Sequence, residues 1–245
     1  SLLKTPAPLI PLHHPCPCPW WMSGLGADWG RVEEAIAEIS GSYDRINRFI
    51  SLGFDLMLRE RALTLAGEGF NGRVLDAGSG PGIFSLLALR RWRRADVVAL
   101  DPLDVMVSLS KRRVRSERFD VVRGVFEQMP FRSGAFGLVL TGFSVRDAID
   151  LRKAISEIWR VLRYGGRYVV CDIAKPDPPP LRFVVSAYWF LIAPILGFLA
   201  AGRRGLRVWD IYRTYRRWPV KRELIGLLDE FFAVERSEVA MAGGA

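Results

Sequence analysis

Between Arg31 and Leu65 the apolar positions recur three and four residues apart, as at Val32, Ala35, Ile36 and Ile39. That spacing predicts two or three amphipathic helices over 31–39 and 43–65. From residue 72 the pattern changes to short apolar runs alternating with amphipathic stretches. It predicts strands at 73–76, 96–100, 119–123, 136–141 and 167–172. The helices between them fall at 83–92, 105–115 and 151–162. Strands separated by single helices imply right-handed βαβ units. The expected fold is therefore α/β, with a doubly wound, mostly parallel sheet flanked by helices. Tyr164-Gly165-Gly166-Arg167 reads as a helix stop and a turn into the fifth strand. The proline-rich stretch 1–30 reads as a tail, and 31–245 as a single domain.

After the fifth strand, Phe183 to Gly202 is a run of 20 residues without a charge. Its length is that of a membrane-spanning helix. Pro194 and Gly197 interrupt it, however, and Tyr188 and Trp189 fall near its middle instead of at its ends. The favoured expectation is a broken helical lid, about 178–218, over an apolar substrate. Arg203, Arg204 and Arg207 follow as a basic flank suited to an anionic membrane surface.

The segment Val74-Leu75-Asp76-Ala77-Gly78-Ser79-Gly80-Pro81-Gly82 carries the clearest chemistry. A buried strand runs into a glycine turn that opens a helix, a shape that lets backbone N–H groups approach a ligand. The spacing is G-x-G-x-G rather than the G-x-G-x-x-G of dinucleotide binders. The next strand ends in Asp101, about twenty positions on, where a carboxylate takes ribose hydroxyls. Together with the leading Asp76, these features point to a class I methyltransferase, a Rossmann-like fold that holds S-adenosylmethionine.

Composition adds boundaries. Half of the 245 residues are hydrophobic, enough for one α/β core. The net charge is +9, with 30 arginines against 5 lysines. Clusters at Arg90–Arg94 and Lys111–Arg115 read as solvated helix faces, as in a heat-adapted protein, with attraction to membrane or nucleic acid as the sharper alternative. The three cysteines, Cys16, Cys18 and Cys171, build no disulfide framework, so a reducing, cytoplasmic interior is the default. His13-His14-Pro15-Cys16-Pro17-Cys18 lacks the C-x-x-C spacing and a second ligand pair of a zinc site, so no metal is expected. Both histidines lie there, which excludes a catalytic histidine from the body of the chain. Residues 1–22 carry no continuous apolar stretch of a secretory signal, and Met22 is a candidate natural start.

Further blocks carry a family resemblance over about 39–232. These are Ser42-Tyr43-Asp44-Arg45-Ile46-Asn47, Gly124-Val125-Phe126-Glu127-Gln128-Met129-Pro130-Phe131 and Thr141-Gly142-Phe143-Ser144-Val145-Arg146-Asp147. With them go Glu157-Ile158-Trp159-Arg160-Val161-Leu162-Arg163-Tyr164-Gly165-Gly166 and Trp218-Pro219. In that order they resemble the ubiquinone and menaquinone biosynthesis C-methyltransferases, which methylate the ring of a polyprenylated quinol. The resemblance implies S-adenosylmethionine as cofactor and a hydrophobic quinol-like acceptor, while the apolar lid and its basic flank point to peripheral contact at the inner face of the membrane. The resemblance leaves the oligomeric state open, a homodimer included. It also implies that Tyr43, Arg146 and Asp147 face the acceptor. Gly78, Gly80, Pro81 and Gly82 would meet the methionine part and Asp101 the ribose. Asp76 would fix the loop or the amino group, and Pro102, Val125, Phe126 and Gly142 would complete the lining. Three departures stand out. Val125 replaces the acidic or amide residue implied for adenine, Asp147 replaces an asparagine, and the chain stops where the family has another strand.

Two other functions remain in view. A nucleic-acid amino-methylase would carry D/N-P-P-Y where this chain has Thr141-Gly142-Phe143-Ser144, and base C5 methylation would need a cysteine, for which Cys171 is the lone candidate. Another lipid or small molecule as acceptor, or a non-catalytic cofactor-binding protein, is the third class.

Overall fold

The computed structural model describes residues 2–4 and 28–238; the expectations for His13, His14, Cys16, Cys18 and Met22 lie outside the described residues. In chain order the elements are β1 (Leu2–Lys4), α1 (Trp29–Ile39), α2 (Tyr43–Ile50), α3 (Asp55–Ala66), β2 (Asn71–Ala77), α4 (Ile83–Arg91), β3 (Arg94–Asp101) and α5 (Asp104–Arg113). Then come β4 (Phe119–Arg123), β5 (Phe136–Gly142), α6 (Leu151–Val161), β6 (Leu162–Cys171), α7 (Pro179–Ala187), α8 (Ala193–Ala201), α9 (Val208–Arg217), α10 (Lys221–Asp229) and β7 (Ala233–Arg236).

The strands form one sheet in the order β4-β3-β2-β5-β6-β1-β7. From β4 to β6 every pairing is parallel. Such strands are covered on both faces, which explains the apolar runs Val97–Leu100 in β3 and Phe136–Leu140 in β5. Period-two alternation splits their side chains. Leu75 and Val139 pack with Ile155, Ile158 and Phe232 on one face, and Val74, Leu138 and Leu140 with Leu63, Phe84 and Trp92 on the other. The strand order reverses between β2 and β5, so the crevice for a ligand opens at their carboxyl ends.

Two local expectations need correction. Residues 1–30 do not all lie outside the domain, because β1 pairs antiparallel with both β6 and β7 and fills the sheet position between them. The terminal part of the sheet is thus closed by a strand from the start of the chain. Tyr164-Gly165-Gly166 is also not a free turn ahead of a strand. β6 starts at Leu162, directly after α6, and the ladder jumps from Phe136↔Leu162 to Leu138↔Arg167. The surplus residues bulge out, with Gly165 at φ +68° to allow it.

The lid is a folded-back hairpin. α7 passes through a π-turn at Tyr188–Ile192 into α8, then through a 3₁₀ turn at Gly202–Arg207 into α9. By length and composition alone Pro179–Arg217 is apolar enough to cross a bilayer. Its inner side is instead packed on the domain, with Trp189, Ala193 and Ala200 against Ile39, Ile46, Ile50 and Ile173. A Cβ on Gly197 or Gly205 would collide with the backbone of the other, so these glycines let α8 and the following turn meet.

Candidate active site

At the carboxyl end of β2 the glycine loop is held by its own backbone. Gly78 and Ser79 donate N–H groups to the Leu100 carbonyl at 2.8 and 3.0 Å. Gly80 N–H donates to Asp101 Oδ2 at 2.8 Å, and Leu103 N–H to Asp101 Oδ1 at 3.0 Å. Asp76 Oδ2 accepts from Ser85 Oγ at 2.6 Å, while Asp76 Oδ1 and Ser79 Oγ are buried without a hydrogen-bond partner. Burial pushes both Asp76 and Asp101 up to about 6. Gly78 stands at φ +68°, and a Cβ there would lie 2.5 Å from that of Ser144. Only glycine fits.

A narrow cavity of about 60 Å³ lies over this loop. Of the residues expected to meet a cofactor, Gly78, Gly80, Asp101, Pro102, Val125 and Phe126 line it, and Ile36 and Trp29 of α1 close it from above. Asp76, Pro81, Gly82 and Gly142 do not line it. Gly82 instead faces α5, where a Cβ would lie 2.5 Å from Ser110 Oγ, and Gly142 faces Phe84. These residues shape the loop from behind.

A larger cavity of about 330 Å³ lies between α1, α2, α3 and the lid. Its walls are mainly apolar, from Val32, Ile39, Ile50, Leu58, Leu181 and Val185. Ile36, Tyr43, Phe143 and Asp147 line both cavities and so mark where they meet. Phe143 is held at φ +61°, an uncommon backbone for a bulky residue, with the Arg59 guanidinium 4.8 Å from its ring centre. At this junction Arg146 Nη1 meets Asp172 Oδ1 at 2.6 Å, and its Nη2 lies 3.6 Å from Asp147 Oδ2. Burial opposes the Arg146 charge, but Asp147 and Asp172 outweigh it and hold the guanidinium pKa above its ordinary value. Asp147 is pushed up to about 6 by burial and by Asp172, against the pull of Arg146 and a hydrogen bond with Thr214. Its Oδ1 has no hydrogen-bond partner. Two carboxylates share one buried guanidinium, which leaves proton-accepting capacity near neutrality. Burial also raises the Tyr43 phenol, keeping it protonated.

Sequence reasoning missed three members of this site. Asp172, at the end of β6, enters only because β5 and β6 are neighbours. Asp55 and Arg59, one helical turn apart in α3, are both buried, with Arg59 Nη1 3.7 Å from Asp55 Oδ2, and line the apolar cavity. An i,i+4 charged pair on the same side of α3 as the apolar Leu58, Ala62 and Leu63 was the available signal. Two other motifs turn out to be structural. Glu157 accepts from Met129 N–H at 2.8 Å and pairs with Arg160, which donates to the Met129 and Phe131 carbonyls, so the pair clamps the loop between β4 and β5 onto α6. Desolvation pushes the Cys171 thiol up to about 12, leaving it protonated and a poor nucleophile.

A parallel sheet reversing between β2 and β5, a glycine loop at its switch point and a carboxylate at the end of β3 define a class I methyltransferase. The ubiE/COQ5 methyltransferase family profile matches residues 26–239, and the chain belongs to that family. Among its relatives is the demethylmenaquinone methyltransferase of Thermus thermophilus, 34% identical over 69% of this chain and 78% of that protein. The ubiquinone/menaquinone biosynthesis C-methyltransferase of Methylobacterium nodulans is 28% identical over 88% and 87%. The fold is shared with a solved SAM-dependent methyltransferase from Thermotoga maritima, with TM-score 0.54, 15% identity, and 81% and 79% of the two chains covered. A methyltransferase candidate from Bacillus halodurans gives TM-score 0.53 at 20% identity over 70% and 67%.

Proposed function

We propose that the chain transfers a methyl group from S-adenosylmethionine to a ring carbon of a polyprenylated, demethylmenaquinol-like quinol at the cytoplasmic face of a membrane. The observation that carries this reading is the meeting of a loop cavity and an apolar cavity at Tyr43, Phe143 and Asp147. The names of the relatives agree with it.

The loop residues fit the cofactor. Glycines at positive φ leave backbone exposed, the Asp101 carboxylate keeps lone pairs for ribose hydroxyls, and Pro102, Val125 and Phe126 offer an apolar wall for adenine. Val125 has no polar side-chain atom, so a polar contact at that end falls to the backbone or to Glu127, which lines the same cavity. When bound, S-adenosylmethionine supplies an electrophilic methyl on its sulfonium. The chain's own work is positioning and proton transfer. Asp147 accepts the proton of a quinol hydroxyl, which makes the neighbouring ring carbon nucleophilic. Once that carbon takes the methyl it gives up its own hydrogen as a proton to solvent, the oxygen regains the proton from Asp147, and the aromatic ring is restored. Arg146, clamped by Asp172, holds Asp147 in place and tempers its basicity. Tyr43 closes over the junction, and the apolar walls exclude water and house the prenyl tail.

Calorimetric titration with S-adenosylhomocysteine is the first test: binding by the wild type and its loss in Asp101→Ala are expected, and no binding by the wild type rejects the reading. With a reduced demethylmenaquinol in detergent micelles, kcat should fall below an apparent pKa near 6, the value of Asp147. Asp147→Asn should cost at least about a hundredfold in kcat and abolish that limb. Protonation of Asp101 acts in the same range but weakens cofactor binding, so it appears in KM for S-adenosylmethionine instead.

A further inference from the structure

The lid turns an apolar face outward. Phe183 is 74% exposed, Val184 61%, Ile195 57% and Leu199 65%. Beside them the α2–α3 turn exposes Phe49, Leu52, Phe54 and Met57. α8 packs on α2, and Tyr188 Oη donates to the Ile50 carbonyl at 2.6 Å, so the two groups belong to one rigid surface. Single exposed apolar side chains need no explanation, but a contiguous patch of this kind marks an interaction site. Leu52 adds a second sign. It stands at φ +53°, a strained backbone for leucine, with its side chain 59% exposed.

Charge identifies the occupant. Arg45 and Arg48 are exposed on α2, and Arg203 and Arg204 are exposed directly after α8. From Phe183 to Arg204 the sequence holds no acidic residue. An apolar surface rimmed by arginines complements a leaflet of anionic lipid: greasy side chains enter the headgroup boundary and guanidinium groups meet phosphates. The cavity is continuous with this face, because Leu52 and Val184 also line the apolar cavity.

We propose that the outer face of α7 and α8, with the α2–α3 turn, docks flat on an anionic bilayer, and that a lipid acceptor enters the cavity between Leu52 and Val184 without crossing water. The helices lie in the interface and do not span, since their inner side is committed to α1 and α2. The docking surface stands on exposure and charge alone; the role of the portal rests on the lipid-acceptor reading above.

The test is flotation of the full chain with vesicles of phosphatidylcholine alone or mixed equally with phosphatidylglycerol, each at low and high salt. The protein should float with the anionic vesicles and be released by salt. Replacing Arg203 and Arg204 together by alanine should weaken partitioning by about 30-fold. Leu199→Glu, on an exposed position outside both cavities, should weaken it by at least about tenfold. Both variants should bind S-adenosylhomocysteine as the wild type does; a wild type that binds the cofactor but does not float, or variants that float as well as it does, sinks the docking face and leaves the cofactor reading standing. Light scattering without vesicles covers the competing occupant. A dimer that Leu199→Glu splits, with no vesicle binding by the wild type, would assign the face to a second copy of the chain and overturn the proposal. For the portal, Leu199→Glu should slow methylation of a vesicle-embedded quinol and spare a water-soluble, short-tailed one; equal loss on both would overturn it.

Discussion

Arg146 has a side chain only 7% exposed and is balanced by Asp147 and Asp172. Truncation strands both carboxylates in a low-dielectric site, which costs about 3–5 kcal/mol when one partner of a buried pair is removed. Arg146→Ala is therefore expected to lower the melting temperature and abolish turnover. Affinity for S-adenosylhomocysteine should survive, because Gly78, Gly80 and Asp101 are held by β2 and β3. Thermal denaturation with calorimetric titration checks this; parallel loss of affinity and turnover would show that the arginine only supports the fold. The pair Arg146-Asp147 stood out in the sequence as a motif, and so did the loop glycines. Asp172 did not, since it lies 26 positions from Arg146 and nothing local marks its role. Val125 lines the loop cavity with an apolar side chain.

At the level of elements, periodicity placed the central strands and their helices within a few residues, because each is buried in a regular pattern that a single chain segment displays. The exceptions have local causes of a different sort. The 164–166 segment carries the glycines of a turn, yet the adjacency of β5 and β6 absorbs it as a bulge. The apolar run after β6 carries the composition of a span, yet Gly197 and Gly205 fold it back on itself. That contact yields a prediction. Gly205→Ala places a methyl in the Gly197 backbone and should open the lid while leaving the sheet intact, at a cost of about 1–3 kcal/mol. Limited proteolysis should then cut between 190 and 210 faster than in the wild type, with S-adenosylhomocysteine affinity preserved. Unchanged cleavage would mean that the two glycines do not secure the hairpin.

For the molecule as a whole, three buried carboxylates shape the pH dependence of stability. Asp76, Asp101 and Asp147 titrate near 6 in the folded chain against an ordinary value of 3.8. Between those values the folded state binds more protons than the unfolded one, so stability falls as pH rises from about 4 through 6. Glu157, held below its ordinary 4.5 chiefly by Arg160, contributes oppositely and loses its stabilisation as the medium becomes more acidic. The denaturant midpoint should therefore be highest near pH 4, decline through pH 6 and level off above about pH 7, and Asp147→Asn should flatten the decline; a midpoint that climbs steadily from pH 4 to 7 would contradict this balance. The amino-acid sequence alone determined the α/β order, the glycine loop, the carboxylate at the end of β3 and the presence of an apolar lid, because helical and strand periods and turn chemistry are written in neighbouring residues. Tertiary structure alone decided the rest: the seat of β1 beside β6, the pairing of Arg146 with Asp172, the folded-back lid and the meeting of two cavities at Tyr43, Phe143 and Asp147. Those features arise where residues distant along the chain come into contact, and local patterning records burial without recording the partner.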